Sequence, residues 1–509
     1  MRNALLFSFL ATSACAAFLC LMYPEMYRIM QGDSVFFFTA DFFQLKLTQP
    51  PAVTSWLVSL LVQFYRWPWA GAVVQTLVVC LSSLMLFGLA LRFSGSAKAH
   101  RRRLFLLLPF LPVVLFVLYP FATSLHVQIL WLFALPLLYV WLRPWWLRAL
   151  FALVMVPVGY LLLSFPLLAL LLLLFLGLEL TLAKSRWTAL LPAFVLLPFC
   201  PQVYSEHVAF LPSEARYWPV KNANPRPVWS EDYRRSNTYY AVVRAAEEER
   251  WDDLRGIVRE HGQSHQKIMQ TYLLLAESAQ GTLPERLFSY SICDPEQFLF
   301  RHDGNFYAHT FNRLFYRNLG IWDECFHQAE EYFLLLPDAC GFNSLTQMVD
   351  YAIRGGEYAI AGKYLTMLDH APFYGSYVKE QRQRIIQQQA MPDTRRMPLR
   401  ADNFVGGYPF NSEMYRLIDH TDGNAKLAFD YLLCGLLLQK KLPVFSTILY
   451  AYPFYKDKPL PTTYAQALRM LRMKGQVPDA DCLPGTYYHF FKYVAIPEEN
   501  QQMVQQPGH

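Results

Sequence analysis

Trp145 to Leu182 reads WWLRALFALVMVPVGYLLLSFPLLALLLLLFLGLELTL, 38 residues with two charges, Arg148 and Glu179. A helix rises about 1.5 Å per residue, so a hydrocarbon core ~30 Å thick takes about 20 apolar residues. One straight helix here would be nearly twice too long. Pro157, Gly159 and Ser164-Phe165-Pro166 supply a break that makes two spans, 146–163 and 166–183. Lipid offers no partner for free backbone groups, so apolar runs of this length predict helices packed across a bilayer.

Working outward, similar runs occupy 4–22, 70–91, 104–120, 124–142 and 187–204, for seven spans in all. The first run also has a signal-peptide alternative, with Ser13-Ala14-Cys15-Ala16-Ala17 as a small-residue cleavage site. Its length and the spans that follow favour an uncleaved helix. Direction follows from the basic residues. Arg2, the cluster Lys98 with Arg101, Arg102 and Arg103, the pair Arg143 and Arg148, and the pair Lys184 and Arg186 share one side if there are seven spans with the N-terminus inside. Tyr204 and everything after it then lie outside the cytoplasm. Pro51 to Tyr65 is too short to span and carries a polar stripe, Ser55, Ser59 and Gln63. It is read as a helix in the membrane plane, with Trp56, Trp67 and Trp69 at headgroup depth.

Charge separates two halves. Through Glu206 there are thirteen Lys/Arg and five Asp/Glu, whereas the rest is dense in charge and slightly acidic, so the net +6 belongs to the apolar half. Basic residues in short loops orient helices, and they exclude nucleic acid as the partner. The resulting division is a polytopic domain over 1–204, a linker rich in Pro, Tyr and Trp over 205–235, and a helical domain over 236–509.

In the last of these, Ile268, Tyr272, Leu275, Ala276 and Ala279 make one helical face, and Phe311, Leu314, Phe315 and Leu319 another. Trp251, Pro284, Trp322 and Tyr358 each fall between two helical patterns, at intervals of about 33, 38 and 36 residues, close to the tetratricopeptide period. Gly320-Ile321-Trp322 leads to Cys325, Ala329, Tyr332 and Pro337; Gly356-Glu357-Tyr358 leads to Ala361, Leu365 and Leu368. Small residues let paired helices approach, and the aromatic packs the turn. This resembles the tetratricopeptide consensus, and the expected fold class is all-α: a seven-helix membrane bundle, then a tetratricopeptide-like α-solenoid whose units stack because one alone cannot bury its apolar face. An irregular all-α domain is the alternative. An irregular insert is expected near 386–412, with further pairs from Phe429 to Tyr450 and Tyr464 to Met473.

Several apparent motifs fail. Gly356 to Gly362-Lys363 has one residue too many for a phosphate loop, and Tyr364 stands where Ser or Thr must reach Mg²⁺. His261 and His265 lack a third ligand and read as solvated helix-end residues, as do His302-Asp303 and His309. Cys15, Cys20, Cys80 and Cys200 read as small hydrophobes. Cys293, Cys325, Cys340, Cys434 and Cys482 have no CxxC spacing and predict no zinc site.

The chemistry-bearing stretch is the external loop after span one, Arg28 and then Gly32-Asp33-Ser34-Val35-Phe36-Phe37-Phe38-Thr39-Ala40-Asp41. If it is helical, Asp33 and Asp41 share a face two turns apart, and acidic residues at membrane depth are functional candidates. Alternatively both sit in headgroup water, one as a helix cap. Seven spans, a first-loop carboxylate, an in-plane helix and a C-terminal external domain resemble the polyprenyl-phosphate-dependent GT-C glycosyltransferases. That resemblance implies Asp33 as general base or ligand of Mg²⁺ or Mn²⁺, Asp41 second to it, and Arg28, Arg66 and His126 for the lipid-phosphate donor. The sequence departs from those enzymes in having few other charges on the outer side. It is also similar to an uncharacterised family of bacterial inner-membrane proteins, through Gly32-Asp33-x-x-Phe36-Phe37-Phe38, Gln63-Phe64-Tyr65, Pro68 and Gly71. Two readings follow: sugar transfer at the outer face, or a membrane-anchored helical-repeat scaffold for envelope assembly that binds a protein or peptide. Transport is weaker, because no charged pair is expected within the spans and Glu179 is their one acidic residue.

Overall fold

A computed structural model describes residues 2–94, 108–181, 186–209, 217, 226–261, 266–290, 305–336, 340–389, 414–415, 417–418 and 425–494. The protein is all-helical, with no strand among the described residues. It divides into two compact units, Met1–Asn237 with Leu365–Gln381, and Thr238–Tyr364 with Arg382–His509.

The first unit opens with α1 (Arg2–Met22), α2 (Pro24–Gly32), α3 (Ala40–Leu47) and α4 (Ala52–Val62). After a 3-10 turn over Gln63–Arg66 come α5 (Pro68–Ser94), α6 (Leu111–Leu118), α7 (Thr123–Trp141), α8 (Trp145–Leu162), α9 (Phe165–Thr181), α10 (Leu191–Leu196) and α11 (Cys200–His207). Among the described residues, five helical stretches are long and apolar enough to cross a membrane: Leu5–Met22, Pro68–Leu91, Thr123–Trp141, Trp145–Leu162 and Trp187–His207. Leu108–Leu118 and Phe165–Thr181 are shorter apolar helices. The long opening stretch does break at Leu163-Ser164. Gly159 lets α9 come close, since a Cβ there would lie 2.6 Å from Leu168 Cδ1. Large apolar side chains such as Leu6, Phe7, Leu77, Leu173, Val195 and Phe199 are exposed on these helices. Exposed apolar side chains along helices of this length are consistent with helices that face lipid.

Buried bonds mark the two ends of this bundle. At one end Arg148 Nε and Nη2 donate to Glu179 Oε2 and Oε1 at 2.8 and 2.9 Å, and the Tyr139 hydroxyl donates to Glu179 Oε2 at 3.0 Å. Arg148 Nη1 also caps the carbonyls of Leu142 and Arg143 at 3.2 and 2.7 Å. This corrects the expectation of no charged pair. Arg148, read as a loop charge, is buried, because a carboxylate among apolar helices must be neutralised and hydrogen-bonded. At the opposite end Gln128 Oε1 accepts from the Ser164 amide at 2.8 Å, Thr54 Oγ1 donates to the Leu162 carbonyl at 2.6 Å, and the Val228 amide donates to the Val117 carbonyl at 2.9 Å. Lys98, Arg101, Arg102, Arg103 and Lys184 lie outside the described residues.

The second unit is built from helix pairs. They are α12 (Glu231–Glu247) with α13 (Trp251–His261), α14 (Gln266–Ala279) with α15 (Leu283–Arg286), α16 (Phe306–Leu319) with α17 (Trp322–Leu335), and α18 (Phe342–Gly355) with α19 (Tyr358–Leu368). The periodic residues Trp251, Trp322 and Tyr358 each open the second helix of a pair, and Pro284 occupies its first turn. Gly320 and Gly356 close α16 and α18 with φ of 75° and 81°, the left-handed conformation that a side chain disfavours. After α20 (Gly375–Gln389) come α21 (Ala425–Leu438), α22 (Leu442–Ala451), α23 (Thr462–Arg472) and α24 (Tyr487–Tyr493). The insert expected near 386–412 falls, from 390 on, outside the described residues, as do Pro337, Cys293, His265, His302 and Asp303.

Here the fold departs from a simple stack. In a solenoid each unit touches only its neighbours. Every residue of α21 from Ala428 to Leu438 is buried, including Asp430, which pairs with Lys426 on the same helix, and α21 packs against α14, α15 and α16. Tyr431 on it is fully buried, 4.8 Å from the Phe315 ring. A stretch buried on every side belongs in a core, not in a row. Two residues also differ from expectation. Trp322 is half-buried, so Cys325 and Ala329 fill the pair's core instead. His309 is buried, with Nδ1 2.9 Å from Gln328 Oε1, and is not a solvated helix end. The described cysteines are free thiols.

Candidate functional site

The candidate residues gather around the segment from Tyr23 to Arg66. Pro24 starts α2, and Asp33 forms its C-terminal cap, donating its amide to Ile29 O at 2.8 Å. The chain is extended at Thr39, whose hydroxyl accepts the Phe42 amide at 3.2 Å and starts α3. The condition for a shared carboxylate face therefore fails: the helix breaks between Asp33 and Asp41. Asp41 stands exposed in the first turn of α3, where the helix dipole favours a negative charge, and Asp33 stands at a C-terminus, where it does not. Phe36 anchors the connection, fully buried and edge-on to Phe38, Phe42 and Trp56 at 4.9, 5.6 and 5.2 Å.

The polar stripe at 55, 59 and 63 runs from α4 into the 3-10 turn, and two of its three residues point into the protein. Ser59 and Gln63 are buried, and Gln63 Nε2 donates to Ser34 Oγ at 3.2 Å and to the Ser59 carbonyl at 3.0 Å. Gln31 Nε2 donates to Gln63 Oε1 at 3.2 Å and to the Tyr374 hydroxyl at 3.1 Å. Burial pushes the pKa of that hydroxyl up from its ordinary value, so it stays a neutral partner. Residues 370–374 complete the arrangement: the Phe38 amide donates to the His370 carbonyl at 3.0 Å, and the Phe373 ring meets Phe64 and Trp67 at 5.5 and 5.1 Å. No sequence signal linked 365–381 to this segment.

A second network lies beside it. The Tyr27 hydroxyl donates to Gln75 Oε1 at 2.6 Å, Gln75 Nε2 donates to the Pro120 carbonyl at 3.0 Å, and the Tyr65 and Thr123 hydroxyls are 2.8 Å apart. Gly71 leaves room for both tyrosines: a Cβ there would sit 2.6 Å from Tyr27 Cδ1 and 2.9 Å from Tyr65 Cδ1.

The remaining candidates are committed to these frameworks. Arg28 pairs with Glu25 one turn earlier on α2. Arg66 donates to the Phe373 carbonyl at 3.2 Å, with its guanidinium 5.2 Å from the Tyr374 ring. His126 is buried, Nε2 donating to the Tyr119 carbonyl at 2.9 Å. Asp33 and Arg66 thus border one network, Asp41 faces away from the core, and His126 belongs to the turn before α7. No three His, Cys, Asp or Glu side chains converge as a metal site among the described residues. The described residues do not bring together a ligand set for Mg²⁺ or Mn²⁺.

Gln31, Gln75 and Tyr374, which organise the region, were not singled out as candidates. Glutamines in apolar surroundings were the available signal, since a buried amide must find partners.

The profile of the Family of unknown function (DUF6057) matches residues 1–486. The chain belongs to this family. The match extends over both units, so the family is defined by the apolar bundle together with the helix pairs. No curated protein and no solved structure matches this family member.

Proposed function

We propose that the protein is a multi-pass anchor in a bacterial inner membrane that carries a tetratricopeptide-like helical domain on the outer side as a binding platform for a protein or peptide, in envelope assembly. The observation that carries this reading is how the candidate polar residues of the first unit are used. Gln31, Ser34, Gln63 and Tyr374 satisfy one another, Arg28 is neutralised by Glu25, and His126 caps a carbonyl. Such networks rigidify a structure. They leave few groups to bind a lipid phosphate.

Seven spans with the N-terminus inside fit the bond pattern. Arg148 pairs with Glu179 at one end of the bundle, where its guanidinium also donates to the Arg143 carbonyl and the Arg186 amide donates to Glu179 Oε1 at 3.2 Å. Three basic residues thus cluster there, and basic residues favour the cytoplasmic side. The segment 23–66 and the chain entering α12 hold to the other end, where Asn237 Oδ1 accepts the Glu25 amide at 2.9 Å. The helix pairs, each opened by an aromatic residue or proline after a turn, support the tetratricopeptide-like reading, although α21 departs from it.

Sugar transfer from a polyprenyl-phosphate donor is the second reading, and one observation favours it: Asp33 stands at the edge of a rigid network, a place suited to a general base. Alkaline phosphatase fusions test the orientation. Fused after Arg102 the enzyme should be inactive, and after Pro225 active; the reverse would overturn the anchor. In a strain lacking the gene, charge-reversal variants on the surface of Thr238–Tyr364 should fail to complement while accumulating normally. Full complementation by all of them would overturn the platform.

A further inference from the structure

Helices α17, α18 and α19 of the second unit enclose a groove of about 360 Å³ lined by Trp322, Asp323, Phe326, Tyr351, Glu357 and Ile360, with Gly355 at its base. That volume is at the lower end of the range for ligand pockets, about 300–1,000 Å³. The walls are aromatic: the Trp322 and Tyr351 rings lie 6.4 Å apart and nearly parallel, 18° between planes. The Arg354 guanidinium already sits 4.9 Å from the Trp322 ring centroid, held there by donating to Asp350 Oδ2 at 2.8 Å. Trp322 is therefore a ring that accepts a cation.

Two carboxylates share the groove. Two buried acids elsewhere in this unit are matched by cations: Glu277 by Arg255 at 2.8 Å, and Asp430 by Lys426 at 2.6 Å. Asp323 is half-buried and Glu357 exposed, and neither has an ion-pair partner among the described residues. Burial, and then the charge of Glu357, push the Asp323 carboxyl up from its ordinary value. Two like charges thus stand together beside aromatic faces, and a cation placed between them would relieve their repulsion.

Resting on the platform reading, we infer that this groove takes a basic side chain, Lys or Arg, from an extended segment of a partner protein. Its cation meets Asp323 and Glu357, and its aliphatic stem lies along Trp322, Phe326 and Ile360. Gly355 keeps the base open: a Cβ there would be 3.7 Å from both Asp323 Oδ1 and Trp322 Cβ, so a methyl group fits and a larger side chain fills the space.

The test uses the full chain in detergent micelles with Phe326 replaced by 4-trifluoromethylphenylalanine, read by fluorine NMR. Acetyl-Gly-Arg-Gly-amide and its lysine counterpart should move the resonance saturably, and the citrulline and acetyl-lysine peptides should not. Asp323→Asn with Glu357→Gln, which keeps shape and removes charge, should weaken binding by about tenfold or more, equivalent to ~1.4 kcal/mol. Gly355→Leu should abolish it. Equal shifts from the neutral peptides, no saturable shift, or unchanged affinity in the double amide variant would overturn the groove assignment. If the peptides fail while other surface variants of this unit still abolish complementation, the groove is wrong and the platform stands. If neither matters, the platform itself falls.

Discussion

The two units bury polar groups in different ways. The first relies chiefly on neutral amides and hydroxyls, Gln31, Gln63, Gln75, Gln128, Tyr27 and Tyr65, with few buried charges, of which Arg148 and Glu179 pair with each other. The second buries full charges in matched sets: Glu277 with Arg255, Arg313 with Glu247 at 2.5 Å, and Asp430 with Lys426. Helices with lipid-like surfaces have no water near at hand to soften an unpaired charge, and neutral networks avoid that cost. On the proposed reading the second unit faces water, which can hold the half-buried Asp323 and the exposed Glu357 without a counter-charge and leave them open to a partner.

The largest expected effect breaks the exception. Glu179→Gln should destabilise the first unit by about 3–5 kcal/mol, because it leaves Arg148 buried without its counter-charge. Thermal unfolding in micelles measures this. Arg148→Met with Glu179→Leu should recover most of the loss, since an apolar pair of similar volume removes the desolvation cost. Failure of that rescue would mean that the pair has a role beyond stability.

Next come two glycines that separate the units by packing. Gly71→Ala forces a methyl group against two fully buried tyrosine rings and should cost about 1–3 kcal/mol. Gly355→Ala meets only ordinary contacts and sits in a helix, so it should be neutral or stabilising by up to about 1 kcal/mol. Equal penalties at both sites would erase the distinction.

The smallest effect sharpens it. Asp323 is raised above its ordinary value by burial and by Glu357, so its ionised form opposes folding. The stability this group contributes is complete at acid pH and is lost as pH rises through its folded value. Asp323→Asn should therefore stabilise the chain at neutral pH by no more than about 0.5 kcal/mol, and the gain should fade as pH falls into the carboxylate range. A loss at neutral pH would mean that Asp323 has a cationic partner within the chain.

Much of the fold was legible because period and length are local properties. The break at Ser164 and the helix starts at Trp251, Trp322 and Tyr358 needed only nearby residues. The association of 365–381 with the first unit and the burial of α21 against α14–α16 were not legible, since each depends on contacts between residues far apart in the chain. Pattern alone could also not tell that Ser59 and Gln63 of the polar stripe are buried: it defines a face of the helix without saying what covers it. For the candidate site, Asp33 and Arg66 were placed beside one network, whereas Arg28, Asp41 and His126 were dispersed by a helix break and by local bonds that spacing does not reveal.

The central claim, that the first unit anchors and the second binds, is tested most directly by the Asp33→Asn, Asp41→Asn double variant in a strain lacking the gene, with protein abundance measured beside phenotype. An amide keeps the shape and most of the hydrogen bonding of a carboxylate and can neither take a proton at neutral pH nor supply charge to a hard cation. The account predicts full complementation at normal abundance. Failure to complement at normal abundance would contradict it and make the first unit the site of chemistry.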